Sequence, residues 1–298
     1  MIELHERLSE FSYGYGVTRE VEQLLKSIGI RTTPFLPSLL QEAKLAFDVG
    51  FNKPGTVLMI QFKLGQSLRR FVRTDKRFPA PNLDRPFWRF ILNTAEPDGQ
   101  YETLLKAEMD GAEAYYAAPR FVDWDQYLAY FQADAVLQNS ILVKPSEIRN
   151  ALIAKGEPDG RHRVAYDLDR IHVCSEPVQI PEVNPEEIGA TTLRRIADTP
   201  RSLGHIVREI TAGLANRHLV RRERTAPREE HEVHEQHEDN EILQAAIDKL
   251  PIPDRRSMRA RRLETLRHRT ASEDDAVAAS LGLEVWSLGI QMILASAE

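Results

Sequence analysis

The chain has 298 residues, 42% hydrophobic and 28% charged, which is the balance of a folded protein and excludes wholesale disorder. Its formal charge of −6 excludes coating of nucleic acid by bulk positive charge, and its single cysteine, Cys174, excludes a disulfide framework or a cysteine zinc cluster. No run reaches the roughly 18–20 apolar residues of a membrane span. The opening Met-Ile-Glu-Leu-His-Glu-Arg is acidic where a secretion signal needs a basic start, so a soluble, cytoplasmic chain without membrane contact is expected.

In chain order, Gly16–Leu25 has helical spacing that buries Val17, Val21, Leu24, Leu25 and Ile28, with Glu20 at the edge. Apolar runs at Val57–Leu64, Ala112–Ala118, Val136–Val143 and Ile171–Cys174 read as strands. Gly99–Asp110 and Trp124–Ala133 read as helices, and Ser146 as the cap of another. Arg163–Cys174 reads as a hairpin with an Asp-rich turn. From Pro181 the strand signal fades. Pro185–Ala197 and Leu203–Leu219 are helical in spacing, Arg221–Asn240 is nearly devoid of apolar residues, and Glu241–Leu250, Asp254–Thr270 and Ser272–Ser296 suggest a helical tail. The expectation is an α/β fold with a mixed central sheet flanked by helices over 1–180, a helical extension at 181–220, a charged linker at 221–240 and a helical tail at 241–298. The apolar segment 281–294 is expected to pack on the main domain or on a partner, including a second copy.

The segment Leu45–Gln66 is the most informative. Alternation puts Val57, Met59, Gln61 and Lys63 on one face of a strand, and Leu58, Ile60, Phe62 and Leu64 on the other. A polar pair at one end of an apolar strand is expensive unless it faces water, a partner or an ion. If the Pro54-Gly55 dipeptide centres a hairpin turn, Asp48 lies opposite Gln61. A carboxylate, an amide and an ammonium then share one patch.

Asp48-x(12)-Gln61-x-Lys63 resembles the PD-(D/E)xK nuclease superfamily in its QxK form, over roughly residues 14–120. The resemblance implies a restriction-endonuclease-like core and cleavage of DNA or RNA phosphodiesters with Mg²⁺ or Mn²⁺, as in defence against foreign nucleic acid. It implies Asp48, Gln61 and the Phe62 carbonyl as metal ligands, Lys63 beside the scissile phosphate, and Glu20 as the helix carboxylate. Glu42 is a further acid near the motif. Mg²⁺ takes hard oxygen ligands, and an ammonium two residues away stabilises the charge growing on phosphate. No proline precedes Asp48, and Gln61 brings one negative charge fewer than the usual carboxylate.

Arg69, Arg70, Arg73, Lys76 and Arg77 follow the motif as a basic run suited to phosphate contact. A second run holds seven arginines between 255 and 269, among them Arg259 and Arg262. Nucleic acid, an acidic partner and the acidic linker are equal candidates for it. Two functions therefore stand open: a metal-dependent nuclease, and a non-catalytic protein that keeps the fold and binds nucleic acid or protein through its arginine-rich tail. A nuclease needs Asp48, Gln61 and Lys63 to converge in a cleft; a binding module has Asp48 or Lys63 paired internally.

Overall fold

The computed structural model describes residues 8–38, 46–73, 78–174, 176–198, 201–220, 222 and 255–298. Glu42, Lys76, Arg77, the 241–250 helix and all of the 221–240 linker except Arg222 lie outside the described residues.

The elements are α1 (Glu10–Ser27), β1 (Ile30–Pro34), β2 (Gly55–Phe62), β3 (Gln66–Leu68), β4 (Phe87–Asn93), α2 (Gln100–Met109), β5 (Glu113–Pro119), α3 (Trp124–Gln132), β6 (Ser140–Val143), α4 (Pro145–Ala154), β7 (Arg161–Tyr166), β8 (Ile171–Cys174), β9 (Val178–Ile180), α5 (Pro185–Asp198) and α6 (Leu203–Asn216). After the charged linker come α7 (Arg255–Arg267), α8 (Glu273–Ser287) and β10 (Ile290–Ala297). The fold is α/β, with one mixed and one antiparallel sheet.

The mixed sheet has the order β1-β10-β2-β5-β6. Its only parallel pair is β2 with β5, joined through α2; the other neighbours are antiparallel. Both faces are covered, so β2 is buried along its whole length, as expected of a strand with helices on each side. The alternation along it sorts two cores. Val57 and Met59 join α2, α4, α6 and α8 side chains, while Leu58, Ile60 and Phe62 join those of α1, α3 and α5. The second sheet, β3-β4-β7-β8-β9, is antiparallel throughout. It meets the first through aromatic stacking, with the Phe90 and Tyr116 ring centroids 6.1 Å apart, and through the first core, which its Trp88, Phe90, Val164 and Tyr166 share.

The tail is where expectation and structure part. The helix expected over Ser272–Ser296 ends at Ser287, because Gly289 adopts a left-handed φ of +73° and its N–H bonds the Trp286 carbonyl, which turns the chain. Residues 290–297 then form β10, which is inserted between β1 and β2. An apolar run of this length reads as helix or buried strand alike; two open strand edges decided the outcome. The stretch 281–294 is consequently core, with Leu281, Val285, Met292 and Leu294 at most 1% exposed. Within the same stretch Leu283, Trp286 and Leu288 are partly buried and Ser287 is exposed.

β10 also overturns the expected hairpin. Gln61 pairs with Ile290 on one side and Tyr116 on the other, so Asp48 is not its neighbour. Two smaller expectations shift as well. The strand expected from Val136 begins at Ser140, because the Val136 and Leu137 N–H groups turn to the Glu20 carboxylate. α4 is capped at Lys144 with Pro145 as its first residue, and Ser146 instead bonds Glu108.

Candidate functional site

The C-terminal end of β2 carries the polar pair. Gln61 is fully buried. Its Nε2 donates to the Phe62 carbonyl at 2.9 Å, and its Oε1 has no partner. Lys63 follows on the same face, half-buried, with its backbone N–H bonded to the Ala117 carbonyl of β5 at 2.9 Å. Its Nζ donates to Gln100 Oε1 at 2.7 Å, and Gln100 Nε2 donates to the Leu288 carbonyl at 2.7 Å. The two glutamines meet at Gly289, where a side chain would contact both amides. The strand end, the start of α2 and the turn before β10 thus close on one another.

Charges of both signs meet at this corner. Burial holds the Lys63 ammonium below the ordinary lysine pKa, opposed by the fields of the exposed Glu10 and Glu96. Its hydrogen-bond partner is a neutral amide. α2 starts at Gln100 after a glycine cap, and no side chain caps its first-turn N–H groups. That helix end adds partial positive charge and N–H donors beside the ammonium. The corner also lies at the carboxyl ends of the parallel pair β2 and β5, where open α/β sheets characteristically bind ligands.

The other expected site residues are elsewhere or otherwise engaged. Asp48 sits at the far end of β2. Its Oδ1 is 3.2 Å from Arg31 Nη1, and Arg31 is in register with Ser296, which is in register with Gly55. Gly55 and Gln61 are six residues apart, or about 20 Å along a strand. Glu20 is 7% exposed, and its two oxygens accept the Val136 and Leu137 N–H groups at 2.9 and 2.7 Å. It holds the chain leading into β6. The Phe62 carbonyl accepts the Gln61 amide. Asp48, Gln61 and Phe62 therefore do not fit a metal ion as one ligand set.

Of the expected nucleic-acid contacts, Arg69, Arg70 and Arg73 are exposed just beyond β3. Arg259 and Arg262 are tied inward: Arg259 pairs with Glu284 through two nitrogens, and Arg262 reaches the Ser280 carbonyl. Both fasten α7 to α8. Sequence reasoning missed Gln100, Glu10 and Glu96. The glycine before Gln100 marked a helix start, but the contact with Lys63 spans 37 positions and has no local signature. Comparison with known protein families, characterised proteins and solved structures finds no match.

Proposed function

We propose that the chain binds nucleic acid through the phosphate backbone, with Lys63 as the central contact and Arg69 and Arg70 continuing the path. The observation that carries this reading is the half-buried Lys63 ammonium, bonded to a neutral amide beside an uncapped helix start. A phosphate oxygen can take hydrogen bonds from Nζ and from the first-turn N–H groups of α2. The basic loop after β3 supplies sequence-independent contacts.

Metal-dependent cleavage is the second reading. It is favoured by the Gln61–Lys63 pair on one strand face with Glu10 and Glu96 around the ammonium. In that reading the acids differ from Asp48 and Glu20.

The test is fluorescence anisotropy of labelled single- and double-stranded DNA and RNA across a salt series, for wild type, Lys63→Gln and the double substitution Arg69→Glu, Arg70→Glu. Lys63→Gln should weaken binding about tenfold and lower the salt slope by about one. Equal affinities across the three proteins overturn the binding reading. The same mixtures with Mg²⁺ or Mn²⁺ decide cleavage: intact substrate in every mixture removes the second reading.

A further inference from the structure

A separate, largely polar cleft opens between α2, α4 and the chain leaving α6. It is lined by Thr94, Tyr101, Glu102, Arg149, Asp159, Leu219, Val220 and Arg222. Arg222 is anchored there by Asp159: its Nη2 and Nε reach Oδ1 at 2.6 and 3.2 Å, and its backbone N–H reaches Oδ2 at 2.8 Å. The anchoring commits one nitrogen face and leaves the other. Arg222 Nη1 is buried without a partner, and so is the hydroxyl of Tyr101, a residue 4% exposed.

The acids of the cleft are already spent. Both Asp159 oxygens are taken by Arg222, and Glu102 pairs with Lys106 at 2.7 Å and accepts the Asp98 N–H. Arg149, half-exposed on α4, has no such carboxylate among the described residues and is the surplus cation. Buried polar groups without partners are costly and rare, so two donors orphaned in one cleft beside a surplus cation call for an acceptor. Burial holds the Tyr101 hydroxyl far above the ordinary tyrosine pKa, so it stays a donor at any physiological pH.

We propose that this cleft is a second anion site that holds a phosphate group, with Arg149, the Nη1 of Arg222 and the Tyr101 hydroxyl as donors. Arginine's planar fork matches phosphate oxygens. The inference stands apart from the Lys63 corner, because none of its donors touches Lys63 or Gln61.

The test is calorimetric titration at fixed ionic strength with two probes, inorganic phosphate and a 5′-phosphorylated dinucleotide, with the unphosphorylated dinucleotide as control. Arg149→Gln should lower affinity for the bound probe about tenfold, the loss of one charge-assisted contact. Tyr101→Phe should lower it several-fold, and both losses should persist in a chain that already carries Lys63→Gln, which removes the other phosphate contact. Binding of the phosphorylated dinucleotide alone assigns the site to a nucleic-acid end, and binding of both probes assigns it to the phosphate group itself. Absence of binding by either probe, or affinity unaltered in Arg149→Gln, overturns the proposal. If Tyr101→Phe fails to fold by circular dichroism, Arg149→Gln, a half-exposed position, still decides it.

Discussion

The two ends of β2 differ in how they satisfy their polar groups. At the N-terminal end, Gly55 lies so close to β10 that a side chain there would come within 2.5 Å of the Ala295 carbonyl. Its backbone N–H bonds the Arg201 carbonyl, and the nearby charges, Asp48 and Arg31, pair in solvent. At the C-terminal end, a glutamine is buried with an unpartnered oxygen and a lysine ammonium is desolvated against a neutral amide. Among the described residues, the first end leaves one buried neutral hydroxyl, Thr56 Oγ1, without a partner, and no desolvated charge. The other holds polarity that folding alone does not repay, which is the pattern expected where a ligand completes the structure.

The largest effect tests whether the contrast depends on β10. A chain ending at Ser287 loses the strand that bridges β1 and β2, exposing two edges in the middle of the sheet. It should fail to fold, with loss of the circular dichroism and cooperative unfolding of the full chain. Adding a peptide of residues 288–298 should restore both signals. A truncated chain with native spectra would show that β10 is dispensable.

Glu20→Ala comes next. It strands two buried backbone N–H groups at Val136 and Leu137, so urea unfolding should report a loss of about 2–5 kcal/mol. A catalytic Glu20 would instead leave stability unaltered and remove activity, which the same protein preparation can check.

Gln61→Leu sharpens the contrast. It deletes the unpartnered oxygen of a fully buried side chain together with the Nε2 bond to the Phe62 carbonyl, so the two changes should offset and stability should move by less than about 1 kcal/mol. If the corner is completed by a ligand, nucleic-acid affinity should fall in the same variant. A destabilised Gln61→Leu protein would make the glutamine structural.

Asp48→Asn should do least. Its carboxylate is 89% exposed and, among the described residues, pairs with Arg31 alone, and an exposed ion pair is worth about 0–1 kcal/mol. Nucleic-acid binding should be unaltered. Loss of binding in Asp48→Asn would bring the two ends of β2 together functionally and contradict their separation.

Much of the local structure was legible. The apolar alternation of β2, the helix at 100–109 and the β7–β8 hairpin follow from periodicity and turn residues, which act over a few positions. The shared face of Gln61 and Lys63 is legible for the same reason. The pairing of Asp48 with Gln61 was argued from a single turn dipeptide, and nothing within the segment reveals that a strand more than 200 positions later takes that place. Gln100, Leu288 and Gly289 join the corner by the same non-local route.

The tail shows the boundary most clearly. By itself the sequence determined that 281–294 is too apolar to stay in water. It also determined that the arginines of 255–269 are concentrated on one segment. Whether the apolar run continues as helix or becomes a strand is not set by composition, because a fully buried strand and a buried helix bury the same residues. The tertiary structure decided it: β1 and β2 each offered unpaired N–H and C=O groups, and only an extended segment satisfies both rows. That choice carried Asp48 to one end of the sheet, left Gln61 and Lys63 at the other, and turned Arg259 and Arg262 from free cations into the ties between α7 and α8.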